Sequence, residues 1–311
     1  MSLAREVPVG ATTPARASWL RGFVANPWAK PRFLAGFTWL YIVWSLAPVV
    51  IAVQISFNAG RSRSSFQGFS LQWYQGIFDR ASENFDETLL AALGQSLKLA
   101  VITMPIATVL GVGLAIGLAR WRGRGSGSAN ALMLLPLVTP ELVMGTALFL
   151  IFSHLFDIFF HQLGTTTQVL GHVTFSLSYV VIVTRGRLFA IGREYEEAAM
   201  DLGASPGQAL RRILLPLLAP AIFASLFIVF AISIDDFVIS AFLCIEGCTT
   251  IPIKIYSAAR NAGNPSLNAL ASIMLVSSLL AITFAVLVLR AFNRRQGNTR
   301  SAVEDFARLE I

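Results

Sequence analysis

Residues 194–220 read EYEEAAMDLGASPGQALRRILLPLLAP. Four acids and two arginines stand here between apolar runs, in a chain that is only 13% charged. From Glu194 to Leu202 good helix formers dominate, and Ala198, Ala199 and Leu202 make an apolar patch at helical spacing. Gly203 follows where a helix typically ends in a left-handed residue. Ser205 is a natural N-cap and Pro206 a natural first helical residue. The spacing predicts a helix, a tight turn and a second helix through Arg211 and Ile213 toward Pro216, where the next apolar run begins.

Outward from that segment the chain is 55% hydrophobic, with a mean hydropathy of +0.66. Soluble domains carry roughly twice its charged fraction. The apolar residues fall in six blocks, at about 33–57, 92–119, 131–152, 169–188, 217–243 and 267–291. Each has the roughly 20 residues that a helix needs to cross a bilayer. Alternating strand-like patterning is absent, which argues against a β-barrel. The expected fold is an all-α integral membrane protein with six transmembrane helices and a helix-turn-helix between spans 4 and 5.

Basic residues set the expected orientation. With the N-terminus in the cytoplasm, 18 Lys and Arg fall inside and five outside (Arg61, Arg63, Arg80, Lys254, Arg260), with Lys98 within span 2. Residues 194–216 and both termini are then cytoplasmic. The net charge of +7 reflects this topology and implies no nucleic-acid partner, because the arginines sit beside spans. Residues 1–32 read as a disordered tail, 33–292 as the six-span domain and 293–311 as a C-terminal tail. The tail lacks a signal peptide's short apolar core and cleavage site, so the first span is expected to stay as an anchor. Cys244 and Cys248, in CIEGC on the outer side, are either a small disulfide loop or two free thiols.

An engine within the chain is excluded by composition. Its only lysines are Lys30, Lys98 and Lys254, and none follows a glycine as a phosphate-gripping loop requires. HExxH is absent, and His154, His161 and His172 are too scattered to suggest a metal. No catalytic residue, metal or bound cofactor is expected. The energy for any work must come from a gradient or a partner.

Glu197-Ala198-Ala199, Gly203, Ile213, Leu215 and Pro216 match the pattern EAA-x3-G-x9-I-x-L-P at every fixed position. The segment resembles the coupling loop of permeases in binding-protein-dependent ABC importers. That resemblance covers about Phe33 to Phe292. It implies that the short helix docks in a groove on a separate ATPase subunit, which binds the ATP. Glu197, Ala198 and Ala199 would shape the docking surface and Gly203 would permit the turn. Arg211 and Arg212 would either pair with acids on that partner or serve solubility and snorkelling.

Ionisable groups inside spans are expensive and are default functional candidates. Glu141, in LLPLVTPELVMG, and the tandem Asp235 and Asp236, in FAISIDDFVISAF, stand out. No basic residue lies near the middle of either span. Pro136 and Pro140 are expected to kink the third span before Glu141. Adjacent helical residues point about 100° apart, so both aspartates face one cavity only if the helix breaks there. An acidic path suits a cationic solute. Tyr179, Phe175, Phe149 and Phe237 are either cation–π groups on that path or ordinary packing residues.

The stretches QGFSLQWYQGIF (67–78), GHVTFSLSYVVIV (171–183), SIDDFVISAF (233–242), IPIKIYSAAR (251–260) and NPSLNALASI (264–273) look like the inner-membrane permeases of spermidine/putrescine importers, especially their second permease subunit. That resemblance implies alternating access, ATPase subunits, a second homologous permease and a periplasmic binding protein docking on loops 58–91 and 244–266. CIEGCTT departs from the glycine-rich loop usual before the IPIKIYS-like segment. Two alternatives remain: a permease of this architecture for another solute, and an ion-coupled secondary carrier using Glu141, Asp235 and Asp236.

Overall fold

The computed structural model describes residues 32–62, 65–121, 123–159, 163–260 and 265–295. Apart from Arg32 and residues 293–295, both predicted tails lie outside these residues, as do Arg63, Arg122 and His161. Among the described residues there are helices and a single isolated bridge, Asn58 to Phe69, and no strand.

The helices are α1 (Arg32–Ser56), α2 (Gln72–Phe78), α3 (Glu87–Arg120), α4 (Ser126–Val138), α5 (Glu141–Phe159), α6 (Thr165–Ile191), α7 (Glu194–Asp201), α8 (Pro206–Asp235), α9 (Val238–Phe242), α10 (Ile251–Arg260) and α11 (Ser266–Arg295). Five of them (α1, α3, α6, α8 and α11) are long and apolar enough to cross a bilayer. The pair α4 and α5 passes the same test together but is bent by 108°. The expected third span is therefore two helices, either a broken span or a re-entrant loop. Pro140 explains the break: it lacks an N–H and drives the preceding residue out of the helical region, and Thr139 has φ −70° and ψ 130°. Pro136, by contrast, is accommodated inside α4.

The contacts divide the chain into two units, Met1–Ile51 and Ala52–Ile311. In the first, α1 carries exposed Leu34, Phe37, Trp39 and Trp44, the surface that a bilayer covers. In the second, α3, α6 and α8 form the centre. Lipid tails are as apolar as leucine, so such helices associate by close packing rather than by expelling water. The sequence supplies that on α3: Ala107, Gly111 and Ala115 recur every four residues, with both alanines fully buried. A Cβ on Gly111 would lie 2.6 Å from Val180 of α6. Ala107, Val112, Val173, Val180 and Val229 make the cluster joining the three helices. A second cluster gathers Trp73 and Ile77 of α2 against Leu89, Ile251 and Leu270. Trp73 is fixed there by donating its indole N–H to the Asn58 carbonyl at 2.7 Å.

The fifth span departs from expectation at both ends. Its helix is continuous with the second helix of the 194–216 segment, running unbroken from Pro206. A π turn over Leu210–Leu214 precedes Pro216, whose ring cannot sit against an unaltered preceding turn. At the other end the helix stops at Asp235 rather than reaching Leu243, and Asp236 is extended, with ψ 124°.

Candidate functional site

Two sites carry the residues singled out from the sequence. The first is the 194–216 segment. Helix α7 ends as expected: Gly203 adopts φ +87°. The Gly203 and Ala204 N–H groups close the turn on the carbonyls of Met200 and Ala199 at 2.9 and 3.0 Å. Ser205 caps α8, accepting from the Gln208 N–H at 3.3 Å, while Gln208 Oε1 accepts from the Ser205 N–H at 3.0 Å. Glu197, Ala198, Gly203 and Pro216 are exposed, whereas Ala199, Ile213 and Leu215 are half-buried. Arg211 and Arg212 are exposed. Leu202, at 90% exposure, projects beyond the turn, and Tyr195 is also exposed.

What holds this segment in place was not singled out from the sequence. Glu196 pairs with Arg120 at the end of α3, and Arg193 donates to the Ala119 carbonyl at 3.4 Å. Leu214, the unspecified position between Ile213 and Leu215, is fully buried against Ile191 and Leu218. Four of the motif positions, Glu197, Ala198, Gly203 and Pro216, thus face outward, while Ala199, Ile213 and Leu215 turn partly inward and Glu196, Arg193 and Leu214 bind the segment to the spans.

The second site lies where two helix breaks meet. Glu141 is the first residue of α5, directly after the Pro140 break, and is exposed. A carboxylate there complements the positive end of the helix dipole. Asp236 sits in the other break and is buried, at 6% exposure. Its carboxylate accepts the backbone N–H of Ser240 at 2.8 Å and of Ile239 at 3.4 Å, satisfying the first turn of α9. The carboxyl groups of Glu141 and Asp236 are neighbours across the two breaks.

Asp235 differs from both. It is exposed, and it ends α8, where the dipole favours a cation and an acid is disfavoured. Among the described residues no hydrogen bond or ion pair engages it. The break between α8 and α9 thus separates the tandem acids, turning one inward and leaving the other open.

A basic partner for Asp236 does exist, on a different span. His172 of α6 is buried at 2% exposure. Its Nε2 lies 3.1 Å from Asp236 Oδ2 and 2.9 Å from Ser240 Oγ, and its Nδ1 2.8 Å from Ser233 Oγ. One turn earlier, buried Gln168 donates to the Ser240 and Cys248 carbonyls at 3.2 and 3.0 Å and accepts from Gln95 at 3.0 Å. A buried polar lattice therefore joins α3, α6, both sides of the α8–α9 break and the loop beyond it. In that loop Cys244 and Cys248 form a disulfide. The sequence signal available for His172 and Gln168 was their spacing of four within an apolar helix, which puts both on one face.

The aromatic candidates go mainly to packing. Phe175 and Phe149 pack on the cluster of Leu148, Phe152, Leu163, Ile239 and Leu243. Tyr179 meets Phe175 edge to face, with centroids 5.5 Å apart. The Phe237 and Tyr256 rings meet at a tilt of 41° with centroids 4.7 Å apart, and Arg260 lies 5.0 Å over that Tyr256 ring. The cation over this aromatic group is the protein's own.

The model of the family described as "Binding-protein-dependent transport system inner membrane component" matches residues 107–298, which include both sites. The chain is 36% identical to the putrescine transport system permease protein PotI of Escherichia coli (strain K12), over 81% of this chain and 87% of that protein. It is 35% identical to the spermidine/putrescine transport system permease protein PotC of the same strain, over 85% of this chain and 93% of the relative. Among solved structures, a bacterial ABC transporter involved in the import of the acidic polysaccharide alginate superposes with a TM-score of 0.65 at 17% identity, covering 83% of this chain and 95% of that one. That likeness concerns the fold alone.

Proposed function

The chain belongs to the family of binding-protein-dependent transport system inner membrane components, and on that premise we propose that it is a permease subunit of an ATP-driven polyamine importer. It lies in the inner membrane as a multi-pass protein, with both termini and the α7 segment in the cytoplasm. A separate ATPase subunit docks on the exposed face of α7 and the turn, with Glu197, Ala198, Leu202 and Gly203 at the contact. The chain itself contributes no catalytic residue and binds no cofactor. A second, homologous permease completes the path, and a periplasmic binding protein delivers the solute at loops 58–91 and 244–266. ATP binding closes the ATPase dimer, and α7 carries that movement directly into a transmembrane helix, because α8 runs without a break from Pro206 to Asp235.

The observation that carries the cargo assignment is Asp235: an open carboxylate at the negative end of a span, with exposed Glu141 at the facing break. Carboxylates without a lysine or arginine beside them attract a polyammonium ion and repel an anion. The names of the relatives at 36% and 35% identity point to the same class of solute. Tyr179 stays a candidate for the path wall.

Uptake of labelled putrescine and spermidine into membranes carrying the whole transporter tests this reading. Asp235→Asn is expected to remove most uptake while the ATPase subunit stays bound. Normal uptake in both Asp235→Asn and Asp236→Asn would overturn the cation path. Uptake driven by an ion gradient without any ATPase subunit would overturn the importer class.

A further inference from the structure

Resting on that reading of the site, we propose that His172 is a positioning residue: by holding Asp236 inside the break of the fifth span, it leaves Asp235 as the one of the tandem acids that faces the polyamine. Ser233, Asp236 and Ser240 bracket the break, one before it, one in it and one after it. The single buried imidazole of His172 reaches all three, at 2.8, 3.1 and 2.9 Å. One ring from α6 thus bolts the end of α8 to the start of α9.

The break itself has no proline or glycine to cause it. SIDDFVI (233–239) holds only weaker helix formers, which make a break inexpensive without forcing one. What replaces the lost helical bonds is Asp236, which turns back to accept the N–H groups of Ile239 and Ser240. That fold-back buries a carboxyl group, which is tolerated only with a partner. His172 is that partner, and its ring is fixed on the opposite edge by Ser233. Once Asp236 is committed, Asp235 ends the helix at its negative pole, exposed and without a hydrogen bond or ion pair among the described residues.

The test is a two-residue cycle in the whole transporter, comprising this permease, its partner permease, ATPase and binding protein, in membrane vesicles. His172→Leu keeps roughly the volume of the ring and removes both ring nitrogens, leaving Asp236 buried without its partner. The KM for labelled putrescine is expected to rise at least tenfold. Adding Asp236→Asn to His172→Leu removes the stranded carboxyl group and is expected to bring KM back to within about threefold of Asp236→Asn alone. His172→Gln, which keeps one donor toward Asp236, is expected to fall between wild type and His172→Leu. If His172 only fills space, His172→Leu transports like wild type, or its defect persists unrelieved in the double variant. Either result overturns the proposal.

Assembly is scored in the same membranes by retention of the ATPase subunit and by the melting temperature in detergent. Recovery of assembly in the double variant supports the pairing just as recovery of KM does. Failure to recover either opposes it. These two readouts need no cargo. A transporter that takes up neither putrescine nor spermidine would therefore overturn the functional reading while the pairing is still decided.

Discussion

The α7 segment and the acid cluster are both polar islands in an apolar chain, yet they are built in opposite ways. The segment is local. Its cap, its turn and its motif all fall within 194–216, and Glu197, Ala198, Gly203 and Pro216 of the pattern are exposed. The cluster is assembled. Glu141, His172 and Asp236 come from three parts of the chain, and the histidine's hydroxyl partners lie 61 and 68 residues away. The segment presents its key side chains to a partner, while the cluster spends most of its groups on one another. Only Asp235 and Glu141 remain open to a solute.

The largest expected effect breaks the two sites apart. Glu197→Lys reverses a charge on the exposed face of α7 and touches nothing in the spans. It is expected to abolish ATP-driven uptake, with loss of the ATPase subunit on purification and wild-type binding of labelled putrescine by the isolated membrane subunits. Asp235→Asn should give the mirror image: ATPase retained, and putrescine binding weakened on the order of tenfold, as removal of one interaction worth about 1.4 kcal/mol would do. If either variant lost both properties together, the separation of the sites would be wrong.

That difference in construction also governs what could be read from the sequence. The turn at Gly203, the cap at Ser205 and the helical class follow from neighbours in sequence, and the structure has them as expected. The six apolar blocks match six spans if the bent α4–α5 pair counts as one, and they did not show that the third block is two helices 108° apart, because Pro140 signals a disruption and not its angle. The three acids were legible because charge inside a span is rare. The partner of Asp236 was not. His172 sits in an apolar helix where a lone histidine carries no pattern of its own, and only the packing of α6 on α8 and α9 gives it a role. The same holds for Glu196 and Leu214, which hold the docking segment without belonging to its motif. The disulfide was left open between two readings, and the fold brings the two sulfurs together beside Gln168.

A glycine in each region sharpens the comparison with smaller effects. Gly171 lies next to His172, on ordinary helical backbone, in a crowded place. An added Cβ would meet Leu243 Cδ1 at 2.4 Å and Ile239 Cγ2 at 2.8 Å. Gly171→Ala is therefore expected to push α9 away from α6, at a cost of about 1–3 kcal/mol. The check is a lower melting temperature of the purified transporter together with a raised KM for putrescine, since the shift moves Ser240 and with it the grip of His172. A lowered melting temperature with unchanged KM would mean that the cluster tolerates movement of α9.

Gly203 is the opposite case and the smallest expected effect. Nothing lies within 4 Å of the position that its Cβ would take, so no neighbour has to move. Its φ of +87° is the sole obstacle, a conformation that an L-residue adopts only with strain. Gly203→Ala should therefore cost about 1 kcal/mol, with KM for putrescine unchanged because the acid cluster is untouched. ATPase retention should be weakened but present. Gly203→Asp adds a charge at the contact to the same backbone strain and is expected to lose the ATPase altogether. The gap between these two substitutions measures how much of the segment's role lies in the shape of its turn and how much in the surface that it offers. Equal loss in both would place the whole effect in the backbone, and Gly203 would then be a structural turn rather than part of the docking face.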